Sequence, residues 1–311
     1  MGSHDSEKTA TLDGRAAVVT GAGAGLGRAE ALALAEAGAA VVVNDMGSAA
    51  HDVVDEIVGA GGRAVAVTGD VSDWELAASL VDTAVREFGS LDVLVNNAGI
   101  LRDRMLFNLS ESDWDDVIRV HLKGHAATSR AAAVHWRAAS KSAGGPIFGR
   151  VVNTSSEAFL FGSAGQPNYS AAKAGITALT LSTAQGLARY GVRANAICPR
   201  ARTAMTTEAF GTDAPGEGLD PLAPERVASL VRHLASPASD EITGQVFVVY
   251  GTMIALMQAP QVEKRWDAAG SEFTASEIDS ALSGYFAGRG PYETYSAYSV
   301  AELEKGALDI E

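Results

Sequence analysis

Seven short apolar runs recur along the first 250 residues, at 15–20, 40–44, 64–68, 91–95, 147–154, 192–197 and 245–249. Each is close to continuous in valine, alanine, leucine or isoleucine and does not alternate apolar with polar, the mark of a strand covered on both faces. Helix-forming stretches with 3.6-residue spacing lie between them, at 26–37, 49–60, 73–88, 111–138, 169–189 and 224–235. Such alternation predicts an α/β chain with a doubly wound, parallel, seven-stranded sheet and helices on both faces.

The first strand runs into Thr20-Gly21-Ala22-Gly23-Ala24-Gly25-Leu26-Gly27. Gly21 permits a tight turn directly after the strand. Gly25, Leu26 and Gly27 open the helix, where missing side chains let phosphate or backbone approach free N–H groups. A glycine-rich turn between a strand and a helix predicts a Rossmann-type sheet holding a dinucleotide. Asp45 ends the second strand. A carboxylate there accepts from both ribose hydroxyls and repels a 2′-phosphate, which selects NAD over NADP. Arg28 can approach a phosphate from the first helix. Asp70 and Val71, after the third strand, can border adenine. Asn97, Ala98 and Gly99, after the fourth, are small enough for close approach, and the Asn97 amide can also brace the central strands.

Tyr169 and Lys173 stand at i and i+4 on one helix face. A phenol titrates near 10 in water. An ammonium beside it, with the positive ring of an oxidised nicotinamide, would favour phenolate and make Tyr169 an acid–base group for alcohol and ketone. Ser155 and Ser156 follow the fifth strand, and the Ser156 hydroxyl can donate to a substrate oxygen while Tyr169 exchanges the proton.

The pieces TGAGAGLG at 20–27, NNAG at 96–99, SS at 155–156 and YSAAK at 169–173, in this order, resemble the short-chain dehydrogenase/reductase family over about residues 14–250. The resemblance implies Ser156, Tyr169 and Lys173 as the catalytic centre, with Lys173 also on the nicotinamide ribose. It adds Pro199 and Thr203 to the cofactor contacts, with Thr206 as the alternative to Thr203. VVVND at 41–45, NNAGILRDR at 96–104, RVHLKG at 119–124 and GQPNYSAAKAG at 165–175 further resemble the hydroxyacyl-CoA dehydrogenase part of peroxisomal multifunctional enzyme type 2, related to 17β-hydroxysteroid dehydrogenase type 4.

That likeness implies NAD-dependent oxidation of a (3R)-hydroxyacyl-CoA to the 3-oxoacyl-CoA. The alternatives are a 17β-hydroxysteroid dehydrogenase, a 3-oxoacyl carbonyl reductase or a non-enzymatic dinucleotide-binding protein. His121 stands where many members carry asparagine; it either supports Lys173 through a water or packs as a neutral ring. Arg200 and Arg202 either meet a CoA phosphate or solvate their loop. Members of the family form homodimers or homotetramers, and the long helices at 111–138 and 169–189 are candidate interfaces.

Charge and composition narrow the partners. Thirty-eight acidic against 24 basic residues leave a formal charge of −14, a field that disfavours nucleic acid. Cys198 is the single cysteine and packs as a small apolar group, so no disulfide forms. The six histidines lack metal-site spacing, and no metal is expected. No apolar run of roughly 18 residues suggests a transmembrane segment. No signal peptide is legible and Asp309-Ile310-Glu311 is not a peroxisomal address, so the expected compartment is the cytoplasm.

The expected organisation is a flexible N-terminus at 1–13, one dehydrogenase domain at 14–259 and a C-terminal helical extension at 260–311, packed on the same domain or at an oligomer interface. Helices are expected at 261–269 and 274–287. Tyr292, Tyr295 and Tyr298 are expected to pack on the chain's own surface, with a partner interface as the alternative. Residues 207–223 read equally as a substrate lid and as a surface loop.

Overall fold

The computed structural model describes residues 11–207, 211, 219–290 and 293–303. All seven expected strands form: β1 (Ala16–Thr20), β2 (Ala40–Asp45), β3 (Arg63–Thr68), β4 (Val93–Asn96), β5 (Gly149–Thr154), β6 (Val192–Pro199) and β7 (Val246–Tyr250). They pair in parallel, in the order β3-β2-β1-β4-β5-β6-β7. Every residue of β1 and β5 is buried: β1 is a continuous apolar run, while β5 also buries Arg150, paired with Asp240, and Asn153, which accepts from Asn96 Nδ2. An eighth strand, β8 (Met253–Leu256), folds back antiparallel on β7. Gly251, at φ 57°, makes that two-residue turn possible.

Helices cover both faces. On one side α1 (Gly25–Glu36), α2 (Ala49–Gly59) and α8 (Pro224–Ala235) pack Leu34, Ile57 and Val231 against Val19, Val41 and Val95. On the other, α3 (Trp74–Phe88), α5 (Gly124–Ala143) and α7 (Pro167–Leu187) bring Leu80, Trp136 and Ala184 against Val18, Val42 and Val151. Strand order reverses between β1 and β4, and the crossovers part in opposite directions there. That opens a crevice at the carboxyl ends of the strands. α1 also buries a carboxylic acid, Glu30, whose two oxygens have no hydrogen-bond partner among the described residues.

The helix expected at 111–138 forms in three pieces. α4 (Glu111–Val117) is capped by Ser110, which accepts from Asp113 N. A π-helical stretch, Ile118–Lys123, follows and leads into α5. Its widened turn carries His121 inward, where Nε2 lies 2.9 Å from Ile100 N and 2.7 Å from Ile100 O.

The expected helix at 261–269 does not form; no regular element spans those residues. A helix there would offer only Val262, Trp266 and the small Ala269 as an apolar face. Its side chains instead cross to α9 (Ala275–Phe286): Glu263 accepts from the Tyr285 hydroxyl at 2.6 Å, and Trp266 stacks edge-on against Tyr285 at 5.2 Å. α9, the helix expected at 274–287, begins with a Thr274–Glu277 capping box. Farther on, Ala297 N donates to Leu160 O, and Val300 is buried with Cys198, Leu222 and Tyr250. Tyr295 is 89% exposed, contrary to the expected packing, because its backbone lies in an open bend. Tyr292, the Tyr298 side chain and most of 207–223 lie outside the described residues.

Candidate active site

The glycine turn after β1 is built by close approach. Gly21 has φ +63°, and a Cβ there would lie 2.7 Å from Ala98 Cα. A Cβ on Gly27 would lie 2.3 Å from Gly21 O. Thr20 Oγ1 accepts from Asn97 N and Ala98 N, and Asn97 Nδ2 donates at 3.1 Å to both Thr20 O and Gly21 O. Asn97 thus ties the β4 loop to the turn after β1. Asp45 Oδ2 accepts from Gly23 N at 2.9 Å, which places the carboxylate at the mouth of the turn. Arg28 does not face the turn as expected; its guanidinium pairs with Glu56 at 2.6 Å, the nearer charge on the neighbouring helix.

A cleft of about 560 Å³ runs from this turn along the carboxyl ends of the strands. Gly21, Gly25, Leu26, Asp45, Asp70, Val71, Asn97, Ala98, Gly99, Tyr169, Lys173, Pro199 and Thr203 line it. Gly27 and Ser156 do not: Gly27 is buried behind Gly21, and Ser156 reaches the site through Tyr169. Asp70 is engaged by Arg119 of the π segment and by Ser72 N, which hold its carboxyl below the usual range against the opposing effect of burial. Arg119 lines the cleft too and was not singled out in the sequence, although RVHLKG contains it. Thr206 accepts from Thr203 N at 2.9 Å and donates to Ala201 O at 2.7 Å. Thr206 is spent on the loop, while the Thr203 side chain faces Gly25.

At the far end of the cleft α7 presents Tyr169 and Lys173 on one face, with the Lys173 ammonium nitrogen 5.3 Å from the Tyr169 ring centroid. Lys173 is almost wholly buried and donates to Thr154 O at 2.6 Å. Burial pulls its pKa down to about 7. Tyr169 keeps an edge on the cleft but is closely surrounded by protein. Burial pushes its phenol up to about 12, against a downward pull from its hydrogen bond with Ser156. The expected downward shift from Lys173 is therefore absent: desolvation dominates, and Lys173 donates instead to the Thr154 carbonyl.

Ser156 Oγ accepts from Ala158 N at 3.1 Å, so its hydroxyl hydrogen is available to point at Tyr169. Ser155 faces away, into a buried link with Thr177 Oγ1 and Lys173 O. His121 stacks edge-on against Tyr169, with ring centroids 5.2 Å apart. Burial, with Lys173 nearby, lowers it to about 3 and leaves it neutral. Arg200 and Arg202 both pair with carboxylates, Glu157 and Asp220.

The short chain dehydrogenase family model matches residues 15–214. A hydroxyacyl-CoA dehydrogenase of Mycobacterium tuberculosis, ChsB1, is 57% identical over 298 residues, covering 93% of this chain and 94% of that protein. Mouse peroxisomal multifunctional enzyme type 2 is 44% identical over 243 residues, 75% of this chain but 31% of that longer protein. Among solved structures, a short chain dehydrogenase from Mycobacterium avium superposes with a TM-score of 0.80 at 47% identity, over 90% of this chain and 97% of that one.

Proposed function

The chain belongs to the short-chain dehydrogenase family, and from that premise we propose that it oxidises a (3R)-hydroxyacyl-CoA to the 3-oxoacyl-CoA with NAD. The observation that carries the chemistry is that α7 presents Tyr169 and Lys173 together at the end of a cleft that starts at the glycine turn, with Ser156 drawing the Tyr169 phenol downward. The 57% identity to a hydroxyacyl-CoA dehydrogenase over nearly the whole chain supports the substrate class.

The residues present fit NAD. Gly21 and Gly27 leave no room for a Cβ, which lets the turn after β1 pack tightly against Ala98 and Asn97 at the edge of the cleft, and Asp45 stands where a ribose diol would be read and a 2′-phosphate repelled. Gly21, Gly25 and Leu26 would hold the pyrophosphate, with Gly27 shaping the turn from behind; Asp70 and Val71 the adenine; Asn97, Ala98 and Gly99 the central part. Pro199 and Thr203 would hold the nicotinamide amide, and Tyr169 and Lys173 its ribose. When bound, NAD supplies the hydride acceptor and a positive ring.

Ser156 donates to the substrate oxygen, and Tyr169 takes the hydroxyl proton in oxidation and returns it in reduction. Burial holds the Tyr169 phenol above its usual range, and the positive ring of an oxidised cofactor, when bound, would supply a downward pull. Lys173, near 7, is poised to accept or release a proton beside it.

One domain over 14–259, a homodimer or homotetramer through the 111–138 and 169–189 helices, and a cytoplasmic site of action complete the reading. The 260–311 extension would pack on its own domain or the interface. The test compares kcat/KM for (3R)-hydroxyacyl-CoAs and 17β-hydroxysteroids with NAD. Preference for the acyl-CoA supports the reading; turnover of the steroid alone overturns it.

A further inference from the structure

Arg200 lies just past the end of β6, where its backbone N–H donates to Val249 O at 3.1 Å. Its guanidinium grips Glu157 with two hydrogen bonds, Nε to Oε2 and Nη2 to Oε1, the latter 3.1 Å long. Both side chains are close to fully buried, at 12% and 7% exposure. The guanidinium also lies over the Tyr250 ring, 4.5 Å from its centroid. Two hydrogen bonds and an aromatic face together satisfy an ion pair that burial would otherwise make costly.

The place of this pair in the chain matters more than its energy. β5 ends at Thr154, and Ser155 N still reaches back to Ile197 O at 2.7 Å. Ser156 follows and is no longer in the sheet. Its Oγ accepts from Ala158 N and its carbonyl from Phe159 N, and Glu157, which comes next, has its carboxylate held by Arg200. The Ser155–Glu157 stretch is therefore tied to Ile197 of β6 on one side and to Arg200, just past the end of β6, on the other. Buried ion pairs add little net stability and are often replaceable by apolar pairs without loss. What this one does supply is a fixed direction for the peptide that carries Ser156.

We propose that Arg200 and Glu157 act as a positioning pair that aims the Ser156 hydroxyl at Tyr169 and the substrate oxygen. Arg200 touches neither substrate nor reacting atoms; it works through Glu157. The inference rests on the role of Ser156 proposed above.

The variants are E157Q, R200M, R200K, the double E157Q/R200M and S156A, each in the full chain. E157Q and R200M should each lower kcat for NAD-linked oxidation about tenfold while NAD affinity, read by fluorescence titration, stays within about twofold. The double variant buries no unpaired charge, stays folded, and should lose no more than either single variant, since both break one link. R200K keeps the charge and should recover part of the loss. An ultraviolet difference titration of Tyr169 in the NAD complex, referenced to Tyr169→Phe, needs no substrate. Its apparent pKa should rise in R200M and in S156A alike, because both withdraw the Ser156 hydrogen from the phenolate.

Three results overturn the inference. One is an unchanged kcat and Tyr169 titration in E157Q and R200M while S156A is impaired, which leaves the Ser156 role standing. Another is additive losses in the double variant. The third is S156A behaving as wild type, which removes the Ser156 role as well. A wild type that oxidises no hydroxyacyl-CoA contradicts the substrate reading alone, and the Tyr169 titration then decides the positioning pair.

Discussion

Glu30 provides a quantitative test of the fold. Its side chain is fully buried within α1, its oxygens lack hydrogen-bond partners among the described residues, and burial pushes its pKa from 4.5 to about 8. In the folded protein the carboxyl stays protonated while in the unfolded chain it ionises. The folded state is thus penalised progressively as pH rises from about 4.5 to about 8, and levels off above that. Each unit of separation is worth about 1.4 kcal/mol, so the penalty is about 3 kcal/mol at pH 7 and about 4 kcal/mol at pH 8. Glu30→Leu keeps a helix former of similar length and removes the proton. Urea unfolding of wild type and variant between about pH 5 and pH 8 reads the difference directly, because every other titrating group cancels. The variant's advantage should grow by about 1.4 kcal/mol per pH unit over that window. An advantage that does not change with pH would refute the buried neutral carboxyl.

The remaining predictions concern the site. Gly27→Ala places a methyl 2.3 Å from Gly21 O, a backbone atom that cannot yield, and calorimetry should show NAD binding weakened at least about tenfold. Asp45→Ser should lower NAD affinity and raise the NADP-to-NAD ratio of kcat/KM, since the charge that repels a 2′-phosphate is gone. His121, depressed to about 3, stays neutral in the fold while the unfolded chain takes a proton below about 6.5. Its contribution is present above that pH and lost on acidification toward 3, at up to about 1.4 kcal/mol per unit. His121→Asn should therefore unfold less steeply with acid than wild type in the same urea titration.

Local patterns explain why much of this was legible. A strand buried on both faces favours a continuous apolar run, and β1 and the Ala40–Val43 part of β2 are visible for that reason. The glycine turn declares itself because Gly21 needs a positive φ and Gly27 has no room for a side chain. Tyr169 and Lys173 meet through helical spacing alone. What stayed hidden depends on partners distant in the chain. The π segment exists to bring His121 to Ile100, and no periodicity marks it. Arg28 turned to Glu56, and Arg200 to Glu157, 43 positions away. β8 is four residues long with two side chains exposed, too short and too mixed to stand out from a tail. The direction of the Tyr169 shift depends on how completely the protein surrounds it, which spacing does not reveal.

The central claim is that Tyr169 passes the proton while NAD accepts hydride from a (3R)-hydroxyacyl-CoA. A single-turnover experiment with saturating NAD and that substrate, comparing wild type with Tyr169→Phe, tests it. Wild type should form NADH in a burst, and Tyr169→Phe should keep most of its NAD affinity yet form NADH at least about a hundredfold more slowly. An equal rate in the two proteins would contradict the account.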